Sequence, residues 1–250
     1  MLKILLLFFS LPSLAFSSPL NHPQSSESIE SIITPLDEIS KFTIIFEAKY
    51  GGLKGKASLS LNTTERENEY IYLLESNASG IARLIQPETA IESSNFKLTP
   101  EGIKPLHYIY DEGTRSEEDR GSIIFDWSKM IAESIHKGEL IELKLENKIQ
   151  DRLSAELQTI LQLRLNQIPS NHHIAYNNSI RNYKLKEKGE ENISVPAGNF
   201  DTVKYLRQRE GSKRSSLIWF AKDFHYLPIR IDQLKNDEVS ISMNALSINY

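Results

Sequence analysis

A chain without cysteine must carry any metal binding, proton transfer or nucleophilic attack on histidine, carboxylate, hydroxyl and amine side chains. Its six histidines are His22, His107, His136, His172, His173 and His225, and none forms the paired spacing on one helix that zinc proteases use. His172 and His173 are adjacent, so an extended backbone sends their rings to opposite sides. Their place just after Pro169, at a helix end, reads as a loop. His107 lies between Leu106 and Tyr108 in a strand-like run and points away from the apolar face, toward solvent. No metal site and no cofactor is expected.

Asp151, Ser154 and His225 could be assembled into an acyl-transfer triad. Asp151 is better placed to cap a helix, however, with Ser154 in its first turn, and no glycine-flanked elbow or oxyanion loop surrounds the serine. Glu117, Glu118 and Asp119 sit in a polar stretch with Arg115 and Arg120, the composition of a solvated charge cluster. The run Gly51-Gly52-Leu53-Lys54-Gly55 lacks the Lys-Ser/Thr and the following helix of a phosphate loop, and reads as a turn. The chain therefore reads as non-enzymatic. What remains is apolar: Tyr70, Tyr72, Tyr108, Tyr110, Phe125, Trp127, Trp219 and Phe220 lie on strand-like runs, where aromatics usually pack a core and can also line a pocket.

These residues have to be held by elements, and the bounds are wide. With 250 residues, 40% hydrophobic and 25% charged, there is enough apolar material for a sizeable core. A net charge of −4, with lysine and arginine spread along the chain, lacks the basic footprint of a nucleic-acid binder. Zero cysteines exclude disulfides and thiolate catalysis. Glycosylation sequons begin at Asn62, Asn77, Asn177 and Asn192, a pattern that arises easily by chance in so Asn- and Ser-rich a chain.

At the N-terminus, Lys3, an apolar run from Ile4 through Leu14, and Ala15-Phe16-Ser17 form a secretory signal, so residues 1–17 are expected to be removed on export. The run is too short to remain as a membrane anchor, and no integral membrane segment is expected after cleavage. Residues 18–40 are rich in Ser, Pro, Asn, Gln and Glu and read as a disordered tether. From 41 to 250 one β-rich domain is expected.

Within that domain the period is two. Phe42, Ile44, Phe46, Ala48 and Tyr50 alternate with mostly polar neighbours, as do Ala57, Leu59 and Leu61, and Gly51-Gly52 between the runs predicts a hairpin. The alternation recurs at Tyr70, Tyr72 and Leu74; at Leu106, Tyr108 and Tyr110; at Ile123, Phe125 and Trp127; at Tyr183 and Leu185; and at Val239, Ile241, Met243 and Ala245. Pro196-Ala197-Gly198 predicts a turn between hairpin arms 192–195 and 200–206, and Pro228 should start a strand or lie at an edge. One stretch differs. From Asp151 to about Ile168, the residues Leu153, Leu157, Ile160, Leu161, Leu165 and Ile168 fall at helical spacing, with Asp151 as N-cap and Pro169 as stop. The expected fold is mainly β: a curved antiparallel sheet or open barrel wrapped around one amphipathic helix.

Five local patterns occur together: Gly102 through Tyr108; Phe125-Asp126-Trp127; Asp151 to Ser154 with Leu161 to Arg164; Val195 through Val203; and Trp219 through Arg230. In this order and spacing they resemble the bacterial envelope family known as domain of unknown function 3108, over about residue 42 to the C-terminus. The resemblance implies a periplasmic setting and brings no known activity. The tail pattern, Trp219-Phe220-Ala221 followed by a turn and Leu227-Pro228-Ile229-Arg230, is also similar to periplasmic half-barrels that ferry lipoproteins, which implies a lipid-binding cavity by analogy of fold. The functional expectation is a periplasmic, non-enzymatic protein holding a lipid or other apolar ligand. Candidate contacts are Tyr72, Tyr108, Phe125, Trp127, Leu157, Leu161 and Trp219. The alternative is a structural or partner-binding module of envelope maintenance with a filled core. An apolar void of about 300 Å³ or more would favour the carrier.

Overall fold

The hydrophobic alternation becomes a sheet because each strand buries one face and turns back on itself. A computed structural model describes residues 41–169 and 171–249; the expected signal sequence and tether lie outside them. The first arm contains β1 (Phe42–Tyr50), β2 (Leu53–Thr63), β3 (Glu69–Ala78), β4 (Ala90–Thr99), β5 (Gly102–Asp111), β6 (Arg120–Asp126), β7 (Ile131–His136) and β8 (Glu139–Lys144). Helix α1 (Arg152–Arg164) follows. The second arm contains β9 (His172–Tyr176), β10 (Ser179–Val195), β11 (Gly198–Arg209), β12 (Arg214–Ala221), β13 (Leu227–Lys235) and β14 (Glu238–Asn249).

All fourteen strands form one sheet in the order β8-β7-β6-β5-β4-β3-β2-β1-β14-β13-β12-β11-β10-β9, every neighbouring pair antiparallel. The first and last strands are thus paired in the middle of the sheet, and α1 connects its two ends. The sheet is curved and not closed into a barrel. Register shifts at Ile45/Phe46, Asn95/Phe96, Glu187/Glu190, Trp219/Phe220 and Gln233/Leu234 bend the strands. The main core joins Leu153, Leu157, Ile160 and Leu161 of α1 to Phe42, Ile44, Phe46, Leu59, Leu61, Tyr72 and Phe220 of the sheet. A second cluster, Tyr108, Tyr110, Ile123, Phe125, Leu143, Leu145 and Ile149, packs with Ala175, Tyr176 and Ile180 from β9 and β10.

Several local expectations need correction. The helix ends at Arg164, four residues early, because Asn166 takes φ 54 and closes a Schellman motif: its N–H donates to Leu163 O, and that of Gln167 to Gln162 O. Ile168 is consequently outside the stripe and exposed. Leu106 lies in the bulge of β5, so Pro105 takes the buried place and Leu106 is half-buried. Val239, at the start of β14, is exposed rather than core-facing. His172 and His173 are in strand β9, not a loop, and their rings do part: His172 is buried and His173 exposed. Pro228, by contrast, stands second in β13 and so starts a strand as expected, beside the bulge at Ile229 of the same strand.

Candidate functional site

The start of α1 sits over the concave face and gathers the interior polar groups. Asp151 is fully buried, and its Oδ1 accepts from the N–H groups of Leu153 (2.9 Å) and Ser154 (2.8 Å). Ser154 Oγ accepts from Asp151 N–H at 2.8 Å, completing a capping box, and Ser94 on β4 donates to Asp151 Oδ2 at 2.6 Å. Burial pushes the Asp151 carboxyl up to about 6, against the downward pull of those hydrogen bonds. One turn on, Glu156 is buried within the apolar stripe, accepts from Tyr72 Oη at 3.0 Å, and is also raised by burial.

Beside this pair, Glu92 of β4 accepts from Tyr108 Oη at 2.6 Å and pairs with Arg152 at 3.3 Å. The Arg152 guanidinium stacks 4.9 Å from the centre of the Tyr176 ring. Burial, reinforced by the facing carboxylates, drives the Tyr72 and Tyr108 hydroxyls far above their ordinary range, so both remain protonated donors. Arg207 of β11 reaches the carbonyl of Arg152 at 3.5 Å. His172 is held neutral, pushed down to about 4 by burial and by Arg207, with Nε2 3.1 Å from Thr159 Oγ1. Because that hydroxyl gives its single proton to Ala155 O at 3.0 Å, His172 Nε2–H must be the donor.

A cleft of about 40 Å³ opens here between Phe46, Leu59, Leu74, Arg152, Glu156 and Arg207. It holds a few waters at most. A second hollow of about 300 Å³, between the end of β8 and β9–β10, is lined by Lys144, Glu146, Ile149, His173, Ile180, Arg181 and Asn182, a wall that mixes charged and polar heads with apolar stems.

The seven expected contacts do not come together as a pocket, and none lines the interior cleft. Tyr72, Tyr108, Leu157 and Leu161 are fully buried packing. Phe125 belongs to the second cluster and stacks on Trp127, whose Nε1–H donates to Pro105 O at 2.7 Å. Trp219 lies on the opposite face of the sheet from Ile218 and Phe220, covered by Lys204 and Arg230. Of the rejected triad, Asp151 and Ser154 meet only as helix cap, and His225 lies in the turn after β12. His107 is exposed, and Glu117–Asp119 form an exposed turn tied to Arg120. Among the described residues no group of three His, Asp or Glu side chains is placed to hold a metal. No helix among them is long and apolar enough to cross a membrane. Sequence reasoning missed Glu92, Arg152, Glu156 and Arg207. The available signal was a charge on an otherwise apolar face: Glu156 between Leu153 and Ile160, and Arg207 following Val203 and Tyr205.

The fold and its polar interior define an open antiparallel sheet rolled about one buried helix. The chain belongs to the family described as Protein of unknown function (DUF3108), whose model matches residues 42–243. A β-barrel-like protein of the DUF1849 family from Brucella abortus shares the fold, with TM-score 0.54 and 10% identity over 84% of this chain and 98% of that one. The MucA/MucB complex of Pseudomonas aeruginosa gives TM-score 0.37 and 8% identity, over 89% of this chain and 56% of that one. An exported protein with YmcC-like fold from Bacteroides fragilis gives 0.36 and 9%, over 84% and 95%. The last two likenesses are too low to argue from. No curated protein matches the sequence.

Proposed function

We propose that this is an exported, non-enzymatic partner-binding module of the cell envelope, with a filled core. The observation that carries this reading is the interior itself. The cleft between sheet and helix has about 40 Å³, against the roughly 300 Å³ or more of a ligand site. Its wall also mixes Arg152, Glu156 and Arg207 with the apolar residues, so an acyl chain entering there would desolvate charge instead of burying apolar area. Export rests on the leader, with its lysine, short apolar run and Ala15-Phe16-Ser17. The surface that suits a partner is the outer face of β5–β8, where Ile109, Ile124, Ile135 and Leu140 are exposed on adjoining strands.

The test places a photo-crosslinking residue at Ile124 or, as a control on the β11–β12 turn of the second arm, at Lys213, in cells making the full chain. A discrete protein adduct at Ile124 and none at Lys213 is the expected outcome, with a bare mass for protein purified from its own envelope fraction. A co-purifying mass of lipid size with no protein adduct would overturn the module in favour of the carrier.

A further inference from the structure

The open ends of the sheet are not equally protected. On the outer side of β9, Gln150 N–H donates to His173 O and Gln150 O accepts from Ala175 N–H, at 2.9 and 2.8 Å. Beyond the reach of β9, strand β10 carries a register shift between Glu187 and Glu190, Gly189 at φ 94, and a row of exposed charged side chains. These are devices that stop another strand from adding. Strand β8 carries exposed Glu139, Glu142 and Lys144 but neither a segment paired along its open side nor a bulge. It runs against β7 from Glu139 to Lys144 without a register shift.

The tight turn at Lys137 (φ 56) and Gly138 (φ 73) fixes which groups of β8 are spent. The closing pair His136–Glu139 is hydrogen-bonded, so Glu139, Ile141 and Leu143 bond to β7, as does Leu145, whose N–H donates to Met130 O. The N–H and C=O groups of Leu140, Glu142 and Lys144 then point off the sheet. Glu142 also lies directly opposite Glu133, an unfavourable like-charge pair. Neither glutamate, nor Lys144, lies within ion-pair distance of an opposite charge among the described residues; Lys129, which both glutamates feel at longer range, is itself paired with Asp126.

We propose that β8 pairs antiparallel with β8 of a second copy of this chain, about a two-fold axis through Leu143. Glu142 then stands opposite the partner's Lys144, and Lys144 opposite the partner's Glu142. Leu143 meets its own copy and Ile141 meets the partner's Leu145. The neighbouring registers lose this match. An axis at Glu142 or at Lys144 sets like charges against themselves, and one at Ile141 sets Glu142 against Leu140. The second copy thus supplies a lysine at direct pairing distance, beyond what the more remote Lys129 gives, to offset the Glu133–Glu142 repulsion.

The chain has no cysteine, so one introduced cysteine reports the axis without ambiguity. Opposed residues of a non-hydrogen-bonded antiparallel pair have Cα atoms about 4.5 Å apart, within disulfide range. Mild oxidation of Leu143→Cys should give a covalent dimer, and Ile141→Cys should not. On the exposed side, Glu142→Lys should weaken the dimer about tenfold in sedimentation velocity while leaving the isolated fold at least as stable, since Glu133 loses its repulsion. Glu142→Lys with Lys144→Glu should restore association. A folded Leu143→Cys that stays monomeric under oxidation, cross-linking by Ile141→Cys in its place, or a double swap that fails to restore the dimer would each overturn the proposal.

Discussion

Two buried titratable groups on either side of α1 oppose each other in the same pH window. Asp151 is raised from the ordinary 3.8 to about 6, and His172 is lowered from 6.5 to about 4, both chiefly by burial. For Asp151 the folded value lies above the unfolded one, so its contribution is full below about pH 4 and is lost as pH rises through 6. For His172 the folded value lies below, so its contribution is present above pH 6.5 and is lost as pH falls toward 4. One pH unit of displacement corresponds to about 1.4 kcal/mol, so each group tilts stability by about 3 kcal/mol across pH 4–6.5, in opposite senses. Asp151→Asn keeps an acceptor for the cap and removes the titration. His172→Gln keeps a donor for Thr159. Urea midpoints at half-unit pH steps should show Asp151→Asn losing stability relative to wild type on acidification, by about 2–3 kcal/mol, and His172→Gln gaining a similar amount. Glu156, also raised by burial, titrates in all three proteins and cancels in the differences. If both variants run parallel to wild type, the burial argument for this pair is wrong.

Asp151→Ala removes the one oxygen that accepts both cap hydrogen bonds and orphans the Ser94 hydroxyl, and should cost about 2 kcal/mol or somewhat more by thermal melting. Leu157 is fully buried in a filled core, so Leu157→Ala should cost about 2–5 kcal/mol, and Leu157→Trp should destabilise by overpacking without changing any bound mass. Gly121→Ala would place a methyl 2.5 Å from Tyr110 Cε1, and should lower the melting temperature although the site is on a strand, where alanine is ordinarily tolerated. Intact-mass measurement on exported protein should show a chain lacking its first fifteen to seventeen residues, and a retained Met1 would sink the signal reading.

The architecture was legible because a half-buried strand writes its burial into every second residue. Phe42, Ile44 and Phe46, or Ala57, Leu59 and Leu61, allow one reading, and Gly51-Gly52 sets the hairpin between them. Asp151 was legible as a cap because capping is local, needing only the next three residues. Bulges were not. A one-residue insertion such as that at Leu106 is decided by what lies across β4, and no pattern within β5 announces it. Trp219 was misplaced for a related reason: alternation gives two faces without saying which is inside, and the cations of Lys204 and Arg230 make the outer face hospitable to an indole. The stop of α1 was set by Asn166 in a left-handed conformation, ahead of the more conspicuous Pro169.

The interior charges were the least legible feature and they bear most on function. Glu92, Arg152 and Glu156 are supplied by β4 and the first turns of α1, and meet only because that helix lies on that sheet. A buried ion pair is weak evidence for stability, since desolvation offsets the attraction. Apolar side chains of similar size would hold the layers together as well. What the polar set adds is position: Tyr72 must find Glu156, Glu92 must find Arg152, and Ser94 must find Asp151, and a helix shifted by one turn along the sheet satisfies none of these contacts. A carrier gains by letting its helix slide or lift to admit ligands of different length. A helix pinned at three points on neighbouring strands holds the sheet to one curvature, and with it the outer face and the β8 edge, which is what a surface for protein contact requires.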